Sequence, residues 1–320
     1  MSVTTINPAN GEKLKTYQYM SHDEVTTIIL QNKEIISKTM TEEMGKPITQ
    51  SYAEVEKCAD LIKHNTNVFA KLLQDTHVNT EFTKSYVTYQ PIGIVYIIMP
   101  WNFPLWQVMR ITSLNILAGN AIVLKHASIC TGTALLIEKL FKDAGFPDNL
   151  FRTLVTDYKT SDEIFKNTKI RGLAFTGSDI VGKQVASLAG KHLKKATLEL
   201  GGADPYIIQC IKSRLLNAGQ VCIAAKKLIT TPKIHEKFCE LILEKARVYN
   251  HSDPMDPTCK LGPLASHNFR ETVHNQVMQV IKEGARCLLG GKIPDDNPGA
   301  FYPVTVLDKI TEKMPMFDEE

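Results

Sequence analysis

A chain of 320 residues can hold two domains with a sizeable core, and 43% hydrophobic with 22% charged residues is an ordinary globular composition. A net charge of +3 with both signs interspersed gives no basic surface for nucleic acid or an anionic membrane. The longest apolar run, residues 92–99, is too short to span a bilayer, and the N-terminus lacks the basic and apolar regions of a signal peptide. Seven cysteines, none in Cys-x-x-Cys spacing, fit a reducing cytoplasm, and nine histidines without a His-Glu-x-x-His pattern suggest no metal site.

Residues 5–13 are turn-rich and predict an opening loop. Helical spacing covers 23–36, with Ser21 as a cap, and 39–73, where Gly45-Lys46-Pro47 breaks the pattern near its start. Residues 81–90 alternate and predict a strand or hairpin arm. From residue 92 the pattern changes. The continuous apolar run 92–99 reads as a strand buried on both faces of a parallel sheet. Strands at 120–125, 150–156, 171–175, 196–200 and 205–208 then alternate with helices at 104–117, 131–144, 161–167 and 179–189. Alternation with short connections predicts a doubly wound α/β sheet. A strand at 227–231, helices at 235–248 and 267–283 and a strand at 286–289 predict a second α/β domain. The division falls between residues 1–198 and 199–320.

Two side chains have the chemistry of an active site. Glu199 stands between Leu198 and Leu200, and a carboxylate in apolar surroundings tends towards a raised pKa, which suits proton transfer near neutrality. Cys222 follows Gly219 and Gln220 and precedes Lys226 and Lys227, whose charge favours a thiolate. A buried acid in a satisfied network and an inert core cysteine would share these signatures. Ligands of open α/β sheets bind at the carboxyl ends of the strands. Three loops lie there. Pro-Trp-Asn-Phe-Pro (100–104) offers the Asn102 amide, which taken alone equally suits a turn. Lys125 ends a strand and either meets a ribose or phosphate or extends to solvent. Phe-Thr-Gly-Ser (175–178) opens a helix whose N–H groups can hold a pyrophosphate. Gly177 to Lys183 nearly spells a phosphate-binding loop of the nucleoside triphosphatases, but Gln184 stands where that loop needs a hydroxyl. Gly-x-Gly-x-x-Gly is absent.

In this order, with Leu-Glu-Leu-Gly-Gly (198–202) and Gly-Gln-Val-Cys (219–222), the loops resemble the aldehyde dehydrogenase superfamily along essentially the whole chain. Leu-Lys-His-Ala (124–127), Glu-Met-Gly-Lys-Pro (43–47) and Leu-Gly-Pro-Leu (261–264) resemble its bacterial NAD(P)-dependent succinate-semialdehyde branch. The resemblance implies a Rossmann-type cofactor domain and a second, incomplete α/β catalytic domain. It implies that Cys222 attacks the aldehyde, that the Asn102 amide and the Cys222 N–H hold the oxyanion, and that Glu199 activates the hydrolytic water. It further implies that Trp101, Lys125, Ser128, Gly177, Ser178, Gly182, Leu200 and Glu320 surround the dinucleotide. Strict NAD enzymes of the family often carry Glu where Ser128 stands, so NADP is expected, with NAD accepted as well. Arg110, about two helical turns after Asn102, is either a clamp for the far carboxylate of succinic semialdehyde or half of a structural ion pair.

Three departures from the family stand out. The first two helices look fused near residues 30–32. The connection from 205 to Cys222 is short, which predicts that the loop that aims the thiol is strained or displaced. The sequence ends at Glu320, where the family continues through its remaining strands and an oligomerisation arm. Two readings therefore remain, an aldehyde oxidiser and a catalytically silent dinucleotide binder of the same family. An unrelated thiol hydrolase using Cys222 would need a histidine partner, and no histidine has a recognisable context for it.

Overall fold

The computed structural model describes residues 2–6, 13–18, 22–157, 160–202, 210–295 and 297–317. The chain opens with an antiparallel pair, β1 (Ser2–Ile6) and β2 (Lys13–Gln18); most of the loop predicted between them, and the Ser21 cap, lie outside the described residues. Helices α1 (His22–Gln31) and α2 (Lys33–Met44) meet at Asn32, and helical bonds run through the joint from Asn32 N to Ile28 O and from Ile36 N to Asn32 O. The fusion expected there is thus present. Gly45, at φ +77°, closes α2 in the left-handed conformation, and its N–H bonds Thr41 O. Pro47 then leads into α3 (Ile48–Leu72). The arm predicted over 81–90 is a short exposed hairpin, β3 (Thr76–His77) with β4 (Tyr86–Val87).

The main sheet follows. Strands β5 (Ile94–Met99), β6 (Ala121–His126), β7 (Phe151–Thr153), β8 (Ile170–Gly177) and β9 (Lys195–Leu200) are all parallel, in the spatial order β7-β6-β5-β8-β9. Between them run α4 (Pro104–Leu117), α5 (Thr131–Asp143), α6 (Ser161–Lys166) and α7 (Asp179–Lys191). The order reverses between β5 and β8, so this is the doubly wound sheet predicted, with its switch point beside the most buried strand. One face packs Ile97, Leu105, Ile122 and Ile137 against α1–α5; the other packs Tyr96, Phe165, Leu173 and Val185 against α6 and α7. Continuous apolar strands arise because both faces are covered.

The second half differs. Helices α8 (Cys210–Leu215), α9 (His235–Ala246) and α10 (His267–Lys282) accompany one antiparallel pair, β10 (Arg286–Leu289) and β11 (Val306–Asp308). Its small separate core is built on Val280, Ala285 and Met314. The strand predicted at 227–231 is irregular chain with Ile229 exposed, and no strand among the described residues pairs with it. The strand predicted at 205–208 lies outside the described residues. Among the contacts between the halves, one brings two backbones very close. A Cβ on Gly262 would come within 2.3 Å of the Gly45 carbonyl oxygen, and one on Gly45 within 2.6 Å of Pro263.

Candidate active site

The crevice at the switch point is built by the chain leaving β5 and β8. Pro104 starts α4, so the chain must turn between Pro100 and Phe103, and Asn102 sits in that turn. Its Nδ2 donates to the carbonyl of Gln220 at 3.1 Å, and its own carbonyl accepts from Asn217 Nδ2 at 3.0 Å. An amide nitrogen carries two hydrogens, so one remains for a ligand. Asn102 Oδ1 is buried without a partner. An orphaned buried acceptor costs about 1–3 kcal/mol, which is more typical of working sites than of turns.

Cys222 stands two residues beyond Gln220 and is half-buried. The turn before it is strained as expected: Asn217 (φ 49°), Ala218 (φ 54°) and Gly219 (φ 81°) are left-handed in succession. Only the glycine adopts that conformation freely. Gln220 braces the turn, with Nε2 on Asn217 O at 3.0 Å and Oε1 accepting from Ala265 N at 2.9 Å. Lys226 Nζ donates to Cys222 O at 3.0 Å and also to Gly202 O, which ties the thiol loop to the chain just beyond β9. Lys227 Nζ lies 4.2 Å over the Phe317 ring.

Glu199 corrects the sequence reading in one respect. β9 is an edge strand, and the Glu199 side chain is 55% exposed despite its leucine neighbours. Alternation with Leu198 and Leu200 therefore does not bury it. It faces Arg110 of α4 at 3.7 Å, and Arg110 in turn donates to Thr176 Oγ1 at 3.2 Å. Of the two expectations for Arg110, the ion pair is seen. Arg110 Nε is buried without a partner.

The neighbouring cleft, about 280 Å³, is lined by His126, Ser128, Thr131, Thr153, Val155 and Asp157. Lys125, the last residue but one of β6, has its Nζ on His126 O at 3.2 Å. Burial lowers the Lys125 pKa and Asp157 opposes that shift. Ser128 is exposed and neutral. Across the switch point, Ser178 caps α7 by accepting from Val181 N at 3.5 Å, leaving other first-turn N–H groups facing out. An ammonium near the end of β6 and a helix N-terminus after β8, both at the carboxyl ends of the strands, suit a dinucleotide. Gly177 and Gly182 have packing reasons for lacking a side chain: a Cβ would meet the Phe175 ring at 2.6 Å and Leu200 Cδ2 at 2.5 Å respectively. Leu200 thus packs on α7. The Trp101 ring packs, tilted, against Phe269 of α10 at 4.9 Å between centroids. Glu320 lies outside the described residues.

Several residues were missed by sequence reasoning. His126 is buried, its Nε2 meets Pro104 O at 3.0 Å, and burial pushes its pKa down to about 4. Lys46, Gln50 and Glu54 reach into the site from α3 and the turn before it. Where no metal site was expected, His235, Cys239 and Asp308 bring three possible ligand atoms within 4.8 Å of one another, with Arg286 also paired to Asp308. Only the His235–Cys239 spacing, one helical turn, was visible in the sequence.

A sequence model of the aldehyde dehydrogenase family matches residues 20–320. The chain belongs to the aldehyde dehydrogenase family. Similar members include a probable NADP(+) succinate-semialdehyde dehydrogenase of Synechocystis, 34% identical, with 100% of this chain and 79% of the relative aligned. The NAD(P)+ succinate semialdehyde dehydrogenase of Escherichia coli is 35% identical, covering 99% of this chain and 77% of the relative. The Synechocystis alignment runs over 360 residues, longer than this chain, so that aldehyde dehydrogenase carries internal segments absent here. The solved succinic semialdehyde dehydrogenase of Streptococcus pyogenes, crystallised with NADP+, superposes with a TM-score of 0.90 at 31% identity, over 99% of this chain and 78% of that one. No helix among the described residues is long and apolar enough to cross a membrane.

Proposed function

We propose that this aldehyde dehydrogenase oxidises succinic semialdehyde to succinate with NADP, and with NAD as a second cofactor, through a covalent adduct on Cys222. The observation that carries the reading is the Asn102 amide bonded to the carbonyl two residues before Cys222, at the mouth of the switch-point crevice. The Cys222 thiolate adds to the aldehyde carbon, and the oxyanion takes the remaining Asn102 N–H and the Cys222 backbone N–H. When bound, the nicotinamide cofactor supplies the hydride acceptor. Lys125, Ser128 and the N-terminus of α7 would hold it, and neutral Ser128 would leave room for a 2′-phosphate. Glu199 takes a proton from the water that cleaves the thioester, and its exposure gives that water access. Arg110 supplies the positive charge for the substrate's far carboxylate while its contact with Glu199 keeps the two groups in register.

The test is a rapid-mixing measurement of reduced cofactor with succinic semialdehyde. Wild-type protein should give a burst, and Cys222→Ala should lose it entirely, a drop of at least about a thousandfold. Arg110→Ala should raise KM for succinic semialdehyde about tenfold or more, with little change for an uncharged aldehyde of similar length. A second reading, a silent dinucleotide binder, draws support from the exposed Glu199 and the strained turn before Cys222. Cofactor binding without any burst would select it.

A further inference from the structure

The catalytic side chains sit on loops, yet two of those loops are held from a helix far away in sequence. Gln50 and Glu54 lie four residues apart, on one face of α3. Glu54 Oε1 accepts from the backbone N–H groups of Leu105 and Trp106, at 2.9 and 2.8 Å, in the first turn of α4. That turn directly follows Asn102. Gln50 Oε1 accepts from Asn217 N at 2.9 Å, and Asn217 leads the left-handed turn that aims Cys222. Asn217 then donates to Asn102 O, and Asn102 donates to Gln220 O. The links close into a ring: α3, the Asn102 loop, the Cys222 loop and α3 again.

Lys46 completes the arrangement. Its ammonium pairs with Glu54 Oε2, both side chains are 1% exposed, and its Nζ lies 4.0 Å over the Phe103 ring. A buried ion pair adds little to stability beside a well-packed apolar pair of the same volume, so stability alone does not account for it. Geometry does. The carboxylate has two oxygens to share: one caps α4 and the other takes the lysine, which itself rests on the aromatic ring next to Asn102. The buried, left-handed Asn217 is likewise held from both sides, by Gln50 and by Asn102.

We propose that Gln50 and Glu54, with Lys46 as counter-ion, are positioning residues that fix the distance between the Asn102 amide and the Cys222 N–H. This rests on the oxyanion role given to those two groups above. Gln50→Met removes the acceptor for Asn217 without stranding a charge, and Lys46→Met/Glu54→Gln removes both charges together. Each should slow the burst about tenfold and leave the cofactor Kd within about twofold. Adding Lys46→Met/Glu54→Gln to Asn102→Ala should cost nothing further, because that pair holds the loop of Asn102. A burst within about twofold of wild type, or losses that multiply with that of Asn102→Ala, would overturn the proposal.

A second readout needs no turnover. Trp101 and Trp106 are the chain's two tryptophans, and both flank Asn102. In Lys46→Met/Glu54→Gln, acrylamide quenching of their fluorescence should rise about twofold at unchanged far-ultraviolet circular dichroism. Unchanged quenching would refute the brace. A wild-type protein that gives no burst would instead sink the proposed reaction, and the fluorescence would still judge the brace.

Discussion

The two halves of the molecule use their apolar residues differently. In the main sheet the central strands β6, β5 and β8 have cover on both faces: Tyr96 and Ile97 are fully buried on opposite sides of β5. Beyond β9 the described residues hold one short antiparallel pair and a small core, while Ile223, Ile229 and Ile234 face solvent. The first half holds itself together. The second takes its position from contacts with the first, through Gln50–Asn217, Asn102–Gln220 and Gly45–Gly262. Chemistry lies along that seam, so the site is only as ordered as the seam is.

The contrast can be broken or sharpened by measurement. The largest expected effect is on the core of the first half. Ile97→Ala, at a fully buried position, should cost about 2–5 kcal/mol in urea unfolding, and Val280→Ala in the second half less than half of that. Equal costs would show the second half to be as tightly packed as the first.

Acid should strike the first half next. His126 is neutral in the fold down to about pH 4, whereas an unfolded histidine takes its proton near pH 6.5. The unfolded chain thus binds more protons between those values, and stability falls as pH drops through that window, by about 3 kcal/mol in all. His126→Gln should flatten this part of the pH profile. An unchanged slope would place the acid sensitivity elsewhere.

A smaller effect concerns the cofactor cleft. Ser128→Glu sets a carboxylate at its exposed lip and should weaken NADP binding about tenfold while sparing NAD, about 1.4 kcal/mol of discrimination. Equal loss for both cofactors would take Ser128 out of contact with a 2′-phosphate.

The legible part of the fold was the part with local rules. Residues 92–99 read as a doubly covered strand, Pro104 marked the start of α4, and Gly45-Lys46-Pro47 marked the break between α2 and α3. The site residues were legible as types, in motifs, but not in their surroundings. Glu199 looked shielded because its neighbours are leucines, yet an edge strand exposes it. Residues 227–231 have strand composition but no partner strand among the described residues. The links from Glu54 to Leu105 and from Gln50 to Asn217 join residues 51 and 167 positions apart, and no local pattern encodes them. Gln50 and Glu54 read as ordinary polar positions on a helix until the fold gives them something to hold.

The close approach of Gly262 to Gly45 has a further result. Neither residue can accept even a methyl group without prising the backbones apart, so the joint tolerates no drift in either strand of chain. A half that is thinly packed but bolted at such a point should not melt early by itself. Heating would then give a single transition for the whole molecule, and an alanine at 262 would split it in two.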